Sequence, residues 1–298
     1  MRPTMVVQLK GGLGNQLFQY AMATTLARTT GAELAIDERS GFARDRRFRR
    51  TYELDAFPLR SRPATVPERM VSGADALLKP FRPRRSAALR RAPWADFITE
   101  KAQRFLPEVA SLRVTRLTYV KGYWQSPRYF DRIEGELRAE LQPPPPADPA
   151  IRRLGQEMEA SESIAVGVRL YEEDRNPAAN ARDGRTKSVA AQGEALARLL
   201  SERPDAKVYV FCTHRSPQLA ALAAPPATRY LTGDDGFTGS ILNLWLMTRC
   251  RHHVFNNSSF YWWGAWLGQG RHPRGPGRIC AADNFVNRDA LPDAWERF

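Results

Sequence analysis

The chain has 298 residues, 43% of them apolar, enough to bury the cores of two domains of about 150 residues each. Its 45 Lys plus Arg outweigh 32 Asp plus Glu for a formal charge of +13, with Arg dominating. That balance points to an anionic partner (nucleotide phosphates, nucleic acid or an acidic membrane surface), or to the codon usage of a GC-rich genome. No stretch reaches the ~18 apolar residues of a membrane span, and Met1–Leu9 lacks a secretory pattern, so a cytoplasmic protein is expected.

Met5–Leu9 reads as a strand, Gly11–Gly14 as a glycine turn, Asn15–Arg28 as a helix with Leu17, Phe18, Ala21, Met22 and Leu26 on its period, and Glu33–Asp37 as a second strand. Together they make a βαβ unit, the start of a parallel sheet. The arginine-rich stretches 41–50 and 82–91 show little strand pattern and read as helices or loops on a basic face. Leu117–Trp124 reads as a strand and about Arg128–Leu141 as a helix. The prolines at 143–146 and 149 then mark a stiff linker over 143–149 between a domain 1–142 and a domain 150–298. The second half alternates. Strands are expected at Ile164–Leu170, Lys207–Thr213, Thr228–Leu231, His253–Asn256 and Arg278–Ala282. Helices are expected at Ser188–Arg203, Pro217–Ala224, Gly239–Cys250 and from Ser258 to Leu267. This is a doubly wound α/β pattern, and two such domains are expected to face a ligand-binding cleft.

Three segments carry chemistry. Lys10-Gly11-Gly12-Leu13-Gly14-Asn15-Gln16 joins a strand to a helix, where glycines admit a ligand to the backbone and the helix N-terminus offers N–H groups. It is neither a phosphate loop with Gly-Lys-Ser/Thr nor a complete dinucleotide fingerprint, because Leu17 stands where the third glycine would be. A plain tight turn is the alternative. Asn256 to Trp266 places Asn and Ser where a helix begins, either as caps or as donors to a diphosphate, and then Trp262, Trp263 and Trp266, at least two of which packing explains. Val166–Asp174 ends a strand at Arg169 followed by Glu172, Glu173 and Asp174. This is either a solvated charged loop or a phosphate clamp beside a proton acceptor. Cys212, Cys250 and Cys280 read as reduced thiols, and with the four histidines they form no metal spacing. Gly233-Asp234-Asp235-Gly236 reads as a turn and helix cap. No nucleic-acid motif occurs, and the aromatics cluster in one helix instead of interleaving with the basic runs, so no nucleic-acid partner is expected.

In this order, Gly11-Gly12-Leu13-Gly14-Asn15-Gln16-Leu17-Phe18-Gln19-Tyr20-Ala21, Tyr52–Phe57, Gly122-Tyr123-Trp124-Gln125-Ser126 and Asn257–Leu267 closely resemble the phrases of the bacterial α-1,2-fucosyltransferase family across nearly the whole chain. The resemblance implies a GT-B-like fold of two Rossmann-like domains facing a cleft, and transfer of L-fucose from GDP-fucose, with inversion and without a metal or other cofactor. The acceptor would be a hydroxyl, the 2-OH of a galactoside, on an oligosaccharide or lipid-linked glycan. The second domain would hold the nucleotide and the first would face the acceptor. Carried onto this chain, catalysis falls to Arg169, Glu172 and Glu173. Donor binding falls to Gly12, Gly14, Asn15, Gln16, Arg169, Asn257, Ser258 and Ser259, and acceptor binding to Trp124, Gln125 and Trp263. The basic stretches would make peripheral contact with an anionic membrane at the inner face of the cell. The family's His-x-Arg-Arg-Gly-Asp-Tyr stands here as Gly167-Val168-Arg169-Leu170-Tyr171-Glu172-Glu173, with only Arg169 kept and Glu172 in the Asp place. Cys212-Thr213-His214 stands where the family shows Ser-Asp-Asp. These departures leave open a transferase of another sugar nucleotide, or an inactive homologue that binds nucleotide or glycan.

Overall fold

A computed structural model describes residues 2–43, 45, 48–77, 88–100, 103–170 and 187–298 (of 74–77, the backbone alone). The chain divides into two compact units, Met1–Leu141 with Asn287–Ala290, and Gln142–Val286 with Leu291–Phe298. The return of 287–290 to the first unit has no signature in the linear order. It is fixed by Asp289, whose carboxylate accepts the Phe105 N–H at 2.7 Å and pairs with Arg128 at 3.5 Å.

In the first unit the chain runs β1 (Thr4–Gln8), α1 (Leu13–Thr30), β2 (Glu33–Asp37), β3 (Arg62–Pro63), α2 (Val66–Leu77), β4 (Leu89–Arg91), β5 (Asp96–Thr99), α3 (Pro107–Ala110), β6 (Thr118–Lys121) and α4 (Glu134–Glu140). The sheet order is β3-β2-β1-β6-β5-β4, parallel except for β4 against β5. Leu89–Arg91 corrects the reading of 82–91 as non-strand. As the outermost strand, β4 needs pairing on one edge only, which weakens the apolar alternation that marks a strand. β5 was also unread, being four residues long with Asp96 at its head. The expected helix at 128–141 is two 3₁₀ turns, Pro127–Tyr129 and Asp131–Ile133, before α4.

Helix α1 is buried nearly all round, including Gln16, Gln19, Thr24 and Thr25. It ends at Gly31 (φ 69°), where the Ala32 N–H reaches back to the Ala27 carbonyl. That closure needs the left-handed conformation that glycine adopts freely. Val6, Ala35, Phe97 and Tyr119 form one core cluster of the sheet.

The second unit runs α5 (Pro149–Ala160), β7 (Ser163–Gly167), α6 (Val189–Glu202), β8 (Lys207–Phe211), β9 (Arg229–Leu231), α7 (Ser240–Met247), β10 (His252–Phe255), α8 (Ser259–Gly268), β11 (Ile279–Ala281) and β12 (Glu296–Arg297). The order is β12-β11-β10-β7-β8-β9, with every pairing parallel. Taken from β9 inward, this is the 3-2-1-4-5-6 winding of dinucleotide-binding sheets, and it reverses between β7 and β10.

α5 was missing from the sequence reading although Leu154 and Met158 bury one face at i, i+4. Pro149 occupies its first turn and Asp148 caps it by accepting the Ala150 N–H, so the proline run ends as a helix start. Ile164, Val166, Leu196, Val208, Val210 and Val254 pack one face of the sheet. Trp262, Trp263 and Trp266 form an aromatic cluster, with Trp295 5.3 Å from Trp262, and all three are buried. The chain is thus α/β with two Rossmann-like, doubly wound units. Among the described residues no helix is long and apolar enough to cross a membrane.

Candidate active site

In an open parallel sheet, ligands sit beyond the carboxyl ends of the strands where the winding reverses. In the second unit that point lies between β7 and β10. Two residues past β7, Arg169 is held by its backbone. Its N–H donates to Asn256 Oδ1 (2.9 Å), and its carbonyl accepts from Asn256 Nδ2 (2.8 Å). Asn256 directly follows β10 and is buried, so both of its amide functions are engaged by one residue of the neighbouring crest.

Below this pair, Tyr261 lies across Gly167. Its hydroxyl is 3.1 Å from the carbonyls of Val168 and Phe211, and a Cβ at 167 would fall on the ring. Gly167 is therefore the position where this chain replaces a side chain with the ring of Tyr261. Burial drives the Tyr261 hydroxyl strongly upward, so it remains a donor to the backbone. Helix α8 begins beside Asn256. Its N-cap, Ser258, makes no side-chain capping bond among the described residues, and the helix start carries the positive end of the dipole. Asn257 turns instead to the Asn284 carbonyl (3.0 Å), and Ser258 is buried. The crest thus places a half-buried arginine on a fixed backbone beside a helix N-terminus, the kinds of element that bind a diphosphate.

The first unit reverses its winding between β1 and β6. Two residues past β1, Lys10 is held in the same way as Arg169, by Gln19 of α1. Its N–H donates to Gln19 Oε1 (2.9 Å) and its carbonyl accepts from Gln19 Nε2 (3.1 Å). Gly11 (φ 79°) turns the chain where a Cβ would meet Asn15 Nδ2 at 2.6 Å. Asn15 Oδ1 accepts from Gln125 Nε2 at 2.7 Å. The buried Gln16 donates to the carbonyls of Gly11 (2.9 Å) and Thr51 (2.8 Å) and accepts from the Glu53 N–H (3.0 Å). Asn15 and Gln16 therefore tie the 11–21, 52–57 and 122–126 phrases to one crest. Glu100, one residue past β5, accepts the N–H groups of Tyr123 (2.6 Å) and Trp124 (3.2 Å). Burial raises the Glu100 carboxyl against those bonds and Lys10, and burial lowers the Lys10 ammonium against Glu100.

Of the residues singled out from sequence, Gly12, Gly14, Asn15, Gln16, Trp124 and Gln125 meet at the first crest, and Arg169, Asn257, Ser258 and Ser259 at the second. Three placements correct the expectation. Gln16 is buried with its amide engaged by backbone, so it braces the loop. Trp124 and Trp263 have no exposed surface, so neither ring is open to an acceptor. Glu172 and Glu173 lie outside the described residues. Gly233–Asp235 is a 3₁₀ turn that caps no helix. Asp235 instead pairs with Arg215 at 2.9 Å. Among the described residues no group of three or more His, Cys, Asp or Glu is placed to hold a metal ion.

Sequence reasoning missed Lys10, Gln19, Glu100 and Asn256 as site builders. Lys10 and Asn256 stood inside the motifs quoted, and their strand-plus-two and strand-plus-one positions were the available signal. Glu100 had none, because β5 was unread.

The model of glycosyl transferase family 11 matches residues 4–272. An α-1,2-colitosyltransferase of Escherichia coli is 22% identical over 273 residues, spanning 88% of this chain and 87% of the relative. Among solved structures, NodZ α-1,6-fucosyltransferase soaked with GDP-fucose is similar at 13% identity and a TM-score of 0.46, covering 90% of this chain and 93% of its own. Arabidopsis thaliana FUT1, solved as a variant in complex with GDP, is similar at 14% identity and a TM-score of 0.48, covering 94% of this chain and 70% of its own. With the family's model matching nearly its whole length, the chain belongs to glycosyl transferase family 11 and is a glycosyltransferase, built as two α/β units that each carry their own sheet.

Proposed function

We propose that the protein transfers L-fucose from GDP-fucose to the 2-OH of a galactoside, with inversion at the anomeric carbon and without a bound metal. The observation that carries the reading is Arg169, fixed by Asn256 at the winding reversal of the second sheet beside the uncapped start of α8. In the reaction the acceptor oxygen bonds to the sugar's C1 as the bond from C1 to the β-phosphate oxygen breaks. The negative charge that grows on the departing GDP is met by Arg169 and the N–H groups of Asn257, Ser258 and Ser259. The hydroxyl proton passes to a carboxylate, for which Glu172 and then Glu173 are the candidates. The family resemblance also assigns Gly12, Gly14 and Asn15 to donor binding. The basic stretches 41–50 and 82–91 hold the enzyme at an anionic membrane presenting a lipid-linked glycan, and salt-insensitive liposome binding would argue against that contact.

The E. coli relative favours a second reading, in which the transferred sugar is colitose. A thermal-shift titration with GDP, GDP-fucose, GDP-mannose and UDP-sugars, with magnesium or EDTA, separates these readings. A ligand at 100 times its Kd stabilises by ~2.7 kcal/mol. Stabilisation by GDP and GDP-fucose, indifferent to EDTA, is the expected result. If GDP stabilises but GDP-fucose is not consumed with any galactoside, the sugar is a different one. Silence toward GDP overturns the donor class.

A further inference from the structure

The first crest presents an aromatic ring for which donor binding has no use. Tyr123 follows β6, and the residue is 39% exposed. Lys10 Nζ lies 4.2 Å from the ring centroid, over one face. The backbone beneath is held in an unusual shape. Gly122 has φ 157°, and Trp124, a non-glycine residue, has φ 55°. A residue held in that region costs of order 1–3 kcal/mol and persists where its surroundings impose it. Here the impositions are visible. Glu100 takes the N–H groups of both Tyr123 and Trp124, and the Trp124 indole is fully buried, edge-on to Tyr129 at 5.5 Å. The inward anchor is Trp124, and the same turn sends Tyr123 outward. On its other side Gln125 meets Asn15. Each of these two amides carries one acceptor oxygen and an NH₂ with two donors.

An outward ring beside paired amides at the crest of a sheet suits a pyranose. The C–H bonds on one face of the sugar pack on the negative π-face, and its rim hydroxyls exchange hydrogen bonds with the amides. We propose that Tyr123 is the platform for a hexopyranoside ring of the acceptor, that Gln125 and Asn15 address its hydroxyls, and that Lys10 and Glu100 are positioning residues for the platform. This assignment rests on the glycosyl-transfer reading above. It moves the aromatic contact expected at Trp124 to its neighbour and makes Trp124 the anchor.

The test is saturation-transfer NMR on the full chain with methyl β-galactoside and methyl β-glucoside, for the wild type, Tyr123→Phe and Tyr123→Ala, with a GDP titration of each protein alongside. Saturation of the ring C–H protons of at least one glycoside is expected with the wild type and with Tyr123→Phe. Tyr123→Ala should weaken that glycoside about tenfold, while GDP affinity stays the same in all three proteins. Equal glycoside binding by Tyr123→Ala, or no binding of either glycoside by the wild type, overturns the platform. Absence of GDP binding in the wild type sinks the donor assignment instead and leaves the glycoside result to stand by itself.

Discussion

The two crests are built on one device and diverge in what they do with it. Each places a cation two residues past the first strand of its unit, Lys10 after β1 and Arg169 after β7, and each clamps that residue's N–H and C=O with one buried amide, Gln19 or Asn256. A buried amide paired with a single peptide leaves neither partner unsatisfied, so the crest is rigid before any ligand arrives. The difference lies in the cation and its neighbours. Lys10 is a compact ammonium over an aromatic ring with Glu100 beside it, a setting for neutral polyols. Arg169 carries a planar guanidinium fork beside a helix N-terminus, a setting for a diphosphate. Under the proposed assignment, one scaffold yields an acceptor-type and a donor-type crest by exchanging one cation and the element next to it.

The largest expected contrast between the units is their response to acid. The four histidines all lie within the second unit. Burial, with His252 adjacent, pushes His253 down from 6.5 to about 3, and burial also lowers His252 and His272. Below pH 6.5 the unfolded chain takes up these protons more readily than the folded chain does. Stability is therefore full above pH 6.5 and falls as the pH drops toward 3, by at most ~1.4 kcal/mol per pH unit for His253. Urea unfolding at pH 7, 6 and 5, followed by the tryptophan cluster of α8, should show the loss, and His253→Gln should flatten it. A flat wild-type profile would contradict the burial argument.

Next in size is the charge on the second crest. Arg169→Ala should cost ~2–4 kcal/mol in kcat/KM if it meets the leaving diphosphate, with the melting temperature nearly unchanged. Kinetics close to the wild type would remove it from the mechanism.

The clamps come third, and they test the shared design itself. Asn256→Ala and Gln19→Ala each leave the N–H and C=O of a half-buried residue without their partner, and each should lose ~1–3 kcal/mol of stability in chemical denaturation. Asn256→Ala should also weaken GDP, whereas Gln19→Ala should leave GDP affinity alone. Equal effects of the two on GDP would mean that the crests do not divide the work. The smallest effect belongs to Gln125→Ala, which gives up its bond to Asn15 and should cost ~1 kcal/mol, read as a higher acceptor KM at constant kcat.

Much of this architecture was legible. β2 is read with its observed ends and α6 to within one residue at each end. What escaped was short or depended on distant parts of the chain. β4 and β5 have too few residues for alternation to register, and α5 hid behind the proline that starts it. At the site, the roles read for the motif residues follow chemical type and not direction. Asn, Gln and Trp near a crest suggest ligand contacts, yet Gln16 and Asn256 face the backbone and Trp124 faces the core. Those directions are set by partners 35 to 110 positions away, as between Gln16 and Thr51, Asn256 and Arg169, and Asn15 and Gln125. The change from the family's His to Gly167 makes sense only once the Tyr261 ring is seen in the vacated space.

Hydrogen exchange of the full chain with and without GDP tests the division of labour most directly. The account predicts that GDP slows exchange at the amides of 168–170 and 256–261 and leaves 11–16 and 122–125 unchanged. Protection confined to 11–16, with the second crest exchanging as in the free protein, would contradict the placement of the nucleotide and with it the central claim.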